Sequence, residues 1–177
     1  MQVLIVIDAQ NEFSQDGQRA VPNHASAIAQ IKRRVAEARQ VKWPVAWIQH
    51  FNKPDESAAF VPGTWGSELS EGFGPVEDAG PEKLFQKTVF GAFYETELEQ
   101  WLKTVGATSV LLVGFYAHMC LSTTTREALV RGIEVFIDPN ATGARDLDHP
   151  VLGKQSADEV RRSALLQLVH MGAKLAE

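Results

Sequence analysis

Short apolar runs recur along the chain, and each is rich in β-branched residues. The first spans residues 3–7, similar runs span residues 45–48 and 110–113, and residues 133–137 form another that Glu134 interrupts. Continuous runs of this length are typical of strands that are covered on both faces. The pattern therefore predicts four buried strands, and residues 173–176 are expected to add a final edge strand.

Segments with apolar residues at helical spacing lie between these runs. They cover residues 25–40, 95–105, 119–130 and 156–171. The last of them opens with Ser156 and, three positions on, Glu159, which is the spacing of a capping box. Residues 51–81 and 138–155 are expected to be loops, and a loop as long as the first is usually functional in a compact domain.

Strands that alternate with helices predict an α/β fold. The strands would form one parallel sheet with helices on both faces, joined by right-handed crossovers. No internal repeat, linker or low-complexity segment divides the chain, and 177 residues suit one well-formed core. We therefore expect a single domain over residues 1–177.

Composition and charge narrow the range of partners. The chain is 45% hydrophobic and carries a formal net charge of −5, so we expect no nucleic-acid or membrane partner. It holds no run of 18 apolar residues, and its first residues are interpreted as a buried strand rather than a signal peptide. The single cysteine excludes an intrachain disulfide and fits a reducing compartment, so a cytoplasmic location is expected.

Candidate chemistry follows the ends of the apolar runs. In a parallel sheet, ligands bind beyond the carboxyl ends of the strands. The residues at those positions are Asp8, Gln49, His50, Lys87, Gly114 to Cys120, and Asp138.

Three of these residues form a plausible set for nucleophilic chemistry. Asp8 directly follows a buried strand, where a desolvated carboxylate needs a partner. Cys120 falls near a helix start, which lowers a thiol pKa and offers N–H groups to an oxyanion. Lys87 ends the short segment 83–87, and a cation between a carboxylate and a thiol would stabilise the thiolate. Taken alone, each also fits a structural role: a turn, a buried core cysteine and a solvated surface charge.

Other catalytic classes lack their motifs. Five scattered histidines form no HExxH or closely spaced carboxylate–histidine set, so no metal is expected. No GxGxxG fingerprint indicates a dinucleotide, and no GxSxG elbow indicates a serine hydrolase. The expected cofactor is therefore none.

Four blocks of the sequence share their order and spacing with a known family. They are DAQNEF at 8–13, PGTWGSEL at 62–69, KTVFGAF at 87–93, and residues 114–120 followed by Thr123, Thr124 and Ala128. These blocks resemble the D-x-Q-N-x-F, PGT-x-G, K-x-x-x-S-A-F and G-V-x-x-x-x-C-V-x-x-T-x-x-x-A motifs of the isochorismatase-like cysteine hydrolases. Gly91 stands where that family usually has Ser.

The resemblance implies a six-stranded parallel sheet and an Asp8–Lys87–Cys120 triad. By analogy, Asp8 takes the thiol proton and passes it to the leaving group, Lys87 stabilises the charges, and Cys120 attacks the carbonyl. Backbone N–H groups of Tyr116 and Cys120 would form the oxyanion hole. A cis peptide bond would fall between Phe115 and Tyr116.

Departures from the family bear on the substrate. The stretch after the second strand, residues 49–53, lacks the Asp and histidine pair by which family nicotinamidases bind a metal. The segment 114–118 is similar to that of true isochorismatases, which place Gly where this chain has Cys120. The thiol therefore favours cleavage of an amide-type C–N bond of a small molecule through a thioester. Vinyl-ether hydrolysis of the isochorismatase type and a non-catalytic binding protein on the same scaffold remain alternatives.

The pocket wall is expected to come from loops beyond the strand ends. The residues predicted to contact the substrate there are Phe13, His50, Trp65, Tyr116 and His118. Phe13 and Trp65 have an alternative role, which is to pack the long loop onto the core. The expected partner is a small-molecule substrate, with assembly into a homo-oligomer, dimer or tetramer, left open.

Overall fold

The computed structural model describes residues 1–176, which fold around one sheet. Its six strands are β1 (Gln2–Ile7), β2 (Val45–His50), β3 (Glu82–Lys87), β4 (Ser109–Gly114), β5 (Glu134–Thr142) and β8 (Lys174–Leu175). A separate two-stranded hairpin pairs β6 (Leu147–His149) with β7 (Gly153–Gln155). Four helices complete the chain: α1 (His24–Gln40), α2 (Leu98–Thr104), α3 (Cys120–Val130) and α4 (Ala157–His170).

The strand order of the large sheet is β3-β2-β1-β4-β5-β8, and every pair is parallel. The chain first winds outward from β1 to β3, then returns to the other side of β1 and continues to β8. This reversal places the topological switch point between β1 and β4, where open α/β sheets bind ligands. The predicted parallel α/β fold with six strands is confirmed.

Two apolar layers cover the sheet because the central strands bury both faces. Alternate residues of β1, such as Leu4 and Val6, pack with Ile31 and Val35 of α1 on one face. The intervening residues of β1 pack with α2, α3 and α4 on the other face. The helices therefore lie on both faces, as the alternation of elements predicts.

The predicted loop over residues 138–155 is wrong in part. Strand β5 continues to Thr142, where it pairs with Gly114 of β4, and the exposed β6–β7 hairpin occupies much of the remainder. The hairpin carries no hydrophobic periodicity because all six of its strand residues are exposed to solvent. Within residues 1–176, no helix is long and apolar enough to cross a membrane.

Candidate active site

The carboxyl ends of four adjacent strands bring the predicted residues together. Asp8 follows β1, Lys87 is the last residue of β3, and Cys120 opens α3 just beyond β4. The register aligns Ile7 with Ile48 and with Gly114, and His50 with Lys87, so these strands end at nearly the same level.

Asp8 is fully buried in a left-handed backbone conformation, with φ of 49°. Its N–H donates to the Ile48 carbonyl at 3.0 Å, which fixes the turn that ends β1. Its Oδ2 accepts a hydrogen bond from Lys87 Nζ at 2.8 Å. Its Oδ1 is buried without a hydrogen-bond partner among the described residues, so one carboxylate oxygen can accept a proton.

Lys87, the last residue of β3, reaches past the end of β2 to contact Asp8, which follows β1. Besides the ion pair, its Nζ donates to the Val89 carbonyl at 3.1 Å and lies 3.2 Å from His50 Nδ1. Burial acts to lower the pKa of Lys87, but the Asp8 carboxylate and the Cys120 thiol outweigh it and raise that pKa. The side chain is therefore a buried, charged ammonium.

His50 is a neutral imidazole in this setting. Burial lowers its pKa first, and the positive charge of Lys87 lowers it further. Asn52 donates from Nδ2 to Ser57 Oγ and to the Ala59 carbonyl, so its Oδ1 is directed at His50 Nε2, 2.9 Å away. Nε2 therefore carries the proton, and Nδ1 accepts from the Lys87 ammonium.

Cys120 is buried beside both charges of the ion pair. Burial raises the pKa of its thiol first, the Asp8 carboxylate raises it further, and Lys87 acts in the opposite direction. The expectation that a helix N-terminus lowers this pKa is therefore wrong for the resting site. The thiol is protonated at neutral pH, and a base has to remove its proton during attack.

The turn before α3 leaves three N–H groups without an acceptor among the described residues, those of Tyr116, His118 and Cys120, whereas the N–H groups of Ala117 and Met119 are bonded. Those of Tyr116 and Cys120 are the pair that the resemblance implies. The peptide bond between Phe115 and Tyr116 is cis, as the resemblance implies. Two unbonded N–H groups next to a thiol can hold the oxygen of a tetrahedral intermediate.

A cavity of about 220 Å³ opens above Asp8 and Cys120. Of the five residues predicted to contact the substrate, Phe13, His50 and Tyr116 line it. Trp65 does not; it is 51% exposed, and its carbonyl accepts from Asn11 Nδ2. His118 lies behind the wall, its ring 5.2 Å from that of Tyr116.

The aromatic wall is held rigid by ring contacts. Phe13 lies 5.2 Å from Phe60 and 4.7 Å from Tyr116, measured between ring centroids. The Tyr116 hydroxyl donates to the Arg19 carbonyl at 2.6 Å. Phe13 therefore both packs a loop and contributes to the cavity, so its two predicted roles are compatible.

Sequence reasoning missed several lining residues. These are Arg19, Asn52, Glu56, Ser57, Phe60, Phe90 and Arg145. Most lie in loops without periodicity, so their position depends on tertiary contacts. Asp138, a candidate by its place after a strand, is bound instead by Gln30 and Arg34 of α1, each at 2.6 Å, and does not line the cavity.

Gln10 and Glu12 hold the loops around the cavity. The Gln10 side chain exchanges two hydrogen bonds with the His50 backbone and donates a third to the Ser67 carbonyl. Buried Glu12 accepts hydrogen bonds from the N–H groups of Phe60 and Gln18, which connects the loop after β2 to the loop after β1. Among the described residues, no group of three or more His, Cys, Asp or Glu side chains could hold a metal ion.

The fold and this site define a hydrolase with a parallel α/β sheet and a buried thiol beside an aspartate–lysine pair. Residues 2–175 match the family model described as isochorismatase domain. The chain belongs to the isochorismatase family.

Relatives with known names support this assignment. The secreted isochorismatase effector Isc1 of Verticillium dahliae is 31% identical over 82% of this chain and 74% of its own length. Nicotinamidase 3 of Arabidopsis thaliana is 31% identical over 78% of this chain and 71% of its own. The crystal structure of an isochorismatase from Pseudomonas putida superposes with a TM-score of 0.90, at 26% identity, over 99% of this chain and 87% of its own.

Proposed function

We propose that this hydrolase cleaves a C–N bond of a small amide through a thioester at Cys120. The observation that carries the proposal is the buried 2.8 Å ion pair between Lys87 and Asp8 beside the chain's one thiol, with Asp8 and Cys120 both lining a cavity. Burying such a pair costs free energy because both charges lose their hydration, so its position beside a nucleophile favours a catalytic role over a structural one.

Acylation begins with the protonated thiol. As Sγ attacks the amide carbon, its proton passes to the unpartnered Oδ1 of Asp8. The carbonyl oxygen becomes an oxyanion, which the N–H groups of Tyr116 and Cys120 stabilise. When the C–N bond breaks, Asp8 returns the proton to the departing nitrogen, and a neutral amine or ammonia leaves.

Deacylation repeats the sequence with water. Asp8 removes a proton from the attacking water, and the thioester carbon forms a second tetrahedral intermediate. The C–S bond then breaks, the proton returns to sulfur, and the carboxylic acid is released. Lys87 keeps its charge throughout, so it stabilises the negative charge both when it lies on Asp8 and when it lies on sulfur while Asp8 holds the proton.

One relative, the Arabidopsis nicotinamidase, agrees by name with amide chemistry, whereas the two named isochorismatases agree with the vinyl-ether alternative. We do not propose nicotinamide as the substrate here, because residues 49–53 lack the Asp and histidine pair of metal-binding nicotinamidases. The cavity of about 220 Å³ is below the range of drug-sized pockets, which favours a small substrate. A cytoplasmic location and a homo-oligomeric state remain predictions.

The test is to replace the nucleophile and search for the acyl-enzyme. Cys120→Ala and Cys120→Ser should each lower kcat by several orders of magnitude without changing the circular dichroism spectrum. Thr123→Ala, on the same helix and outside the cavity, is the matched control and should keep its activity. Acid-quenched wild-type enzyme should gain the mass of the acyl group, and Cys120→Ala should not.

A panel of small amides, ureides and isochorismate separates the alternatives. Turnover of amides or ureides with an acyl-enzyme supports the proposal. Turnover of isochorismate alone, without an acyl-enzyme, would indicate vinyl-ether hydrolysis. Near-wild-type activity in Cys120→Ala would show that the thioester mechanism is wrong.

A further inference from the structure

Two arginines line the cavity that holds the thiol. Arg19 comes from the loop after β1, and Arg145 from the segment that follows β5. The two segments are remote in sequence, and each contributes one arginine to the cavity. The Arg19 carbonyl is bonded by the Tyr116 hydroxyl, so its backbone position is fixed.

Neither arginine has a carboxylate partner among the described residues. Arg145 forms no ion pair or side-chain hydrogen bond there, and Arg19 makes only a 3.4 Å contact with Ser57 Oγ. Five other arginines are paired with acidic side chains; they are Arg33, Arg34, Arg39, Arg131 and Arg161. Arg126 and Arg162 form no ion pair among the described residues either, but they lie outside the cavity. The two unpaired guanidinium groups are therefore available to a ligand at the cavity.

The nearby carboxylates form no ion pair with either arginine. Asp8 is paired with Lys87. Exposed Glu56 accepts from the Lys53 N–H at 3.0 Å, and buried Glu12 accepts from the N–H groups of Phe60 and Gln18. The charges of Arg145 and Arg19 also act on Tyr116 in the cavity wall. Burial raises the pKa of Tyr116 to about 12, and the two arginines oppose that rise.

We propose that Arg145 and Arg19 bind a carboxylate on the substrate, so that the enzyme selects small amides with a negatively charged group. This inference rests on the proposed function, because it assigns a second group on the substrate whose amide reacts at Cys120. A planar guanidinium matches a carboxylate in bidentate geometry. A cavity of about 220 Å³ that must also hold the scissile amide favours a carboxylate over the larger phosphate group.

Iodoacetate and iodoacetamide test this inference without knowledge of the substrate. The two reagents have the same shape and alkylate the same sulfur with loss of iodide, but only iodoacetate carries a carboxylate. The measured quantity is the ratio of the alkylation rate constants of Cys120 for iodoacetate and iodoacetamide. It is divided by the same ratio for 2-mercaptoethanol, which removes the difference in intrinsic reactivity.

The normalised ratio should exceed 1 by about 10- to 100-fold, the effect of one charge-assisted hydrogen bond, and should fall with added salt. Arg145→Gln should remove most of this preference, and Arg145→Lys should keep part of it. Arg19→Gln should weaken it. Arg162→Gln, which removes an exposed arginine of α4 outside the cavity, is the matched control and should leave the ratio unchanged.

Two results would overturn the inference in distinguishable ways. If both reagents modify Cys120 with a normalised ratio near 1 that Arg145→Gln and Arg19→Gln leave unchanged, the carboxylate site is wrong and the nucleophile stands. If Cys120→Ala keeps near-wild-type turnover of the amide panel, the nucleophile itself is wrong, and the substrate assignment fails with it. Circular dichroism of each variant confirms that its fold is intact.

Discussion

The buried ion pair offers a sharp test of the site's electrostatics. The variants are Asp8→Asn, Lys87→Met and the double variant, which together form a double-mutant cycle. Both side chains are almost wholly removed from solvent, at 1% and 0% exposure, so solvent screening does not reduce the expected effect. Each single variant leaves one buried group without its opposite charge.

The structure sets the size of the loss. In Asp8→Asn, the Lys87 ammonium retains the Val89 carbonyl and His50 Nδ1, but no carboxylate. The lysine can escape by losing its proton, which from its ordinary pKa of 10.5 costs about 5 kcal/mol at pH 7 and caps the penalty. We therefore expect each single variant to lose about 3–5 kcal/mol of unfolding free energy.

The double variant should be more stable than the sum of the single losses implies. Replacing both charged groups removes the unpaired charge, so the coupling free energy should be at least about 2 kcal/mol. Urea unfolding followed by fluorescence of the four tryptophans measures each value. Additive losses, with a coupling below about 0.5 kcal/mol, would refute the view that the pair is a coupled unit.

The pH dependence provides a second readout with a definite sign. In the wild type, the folded pKa of Lys87 is raised, so its stabilising contribution is complete below the unfolded pKa of 10.5 and is lost as pH rises through the folded pKa. In Asp8→Asn, no carboxylate offsets the effect of burial on Lys87, so the pKa of Lys87 in the folded state falls below 10.5. The unfolding free energy of that variant should therefore rise with pH towards 10.5, whereas that of the wild type should not gain from this group.

Three further predictions concern the metal, the pocket and the turn. Exhaustive dialysis against EDTA should leave activity unchanged, and activity that zinc, iron or manganese restores after dialysis would show that a metal had been overlooked. His118→Ala should raise KM more than it lowers kcat, because its ring supports Tyr116; a kcat loss as severe as that of Cys120→Ala would make His118 the general base. Gly114→Ala should destabilise the fold by at least about 3 kcal/mol in urea unfolding, because φ is 115° and a Cβ would lie 1.9 Å from the Ile7 carbonyl oxygen; a stable Ala variant would contradict this geometry.

The central strands could be predicted from sequence because they are buried on both faces. Residues 3–7, 45–48 and 110–113 are continuous apolar runs, and each observed strand is longer than its run by only one or two residues. Strand β3 lacked this signal because it lies at the sheet edge. There only Phe85 and Lys87 are fully buried, and the other side chains remain partly or largely exposed.

The site was accessible to sequence reasoning for the same reason. Asp8 directly follows a clear strand and Cys120 begins a helix beyond another, so sheet topology alone places them together. The pKa of the thiol was not accessible, because it depends on how completely Cys120 is buried and on which oxygen of Asp8 lies free. Arg19 and Arg145 lie in loops whose course is set by contacts such as the Tyr116 hydroxyl bond, which no local pattern encodes.

The strand order has a consequence for synthesis of the chain. β1 is made first and sits between β2 and β4, so it can pair with β2 early, but its other edge waits for β4. About 60 residues separate β2 from β4, which at ribosomal rates of about 5–20 residues per second leaves that edge open for several seconds. The side chains of β1 are almost entirely apolar, so the growing polypeptide exposes an aggregation-prone strand during this interval. Slow translation of residues 51–108 should therefore promote aggregation of the nascent chain, and a chaperone that covers the first strand should relieve it.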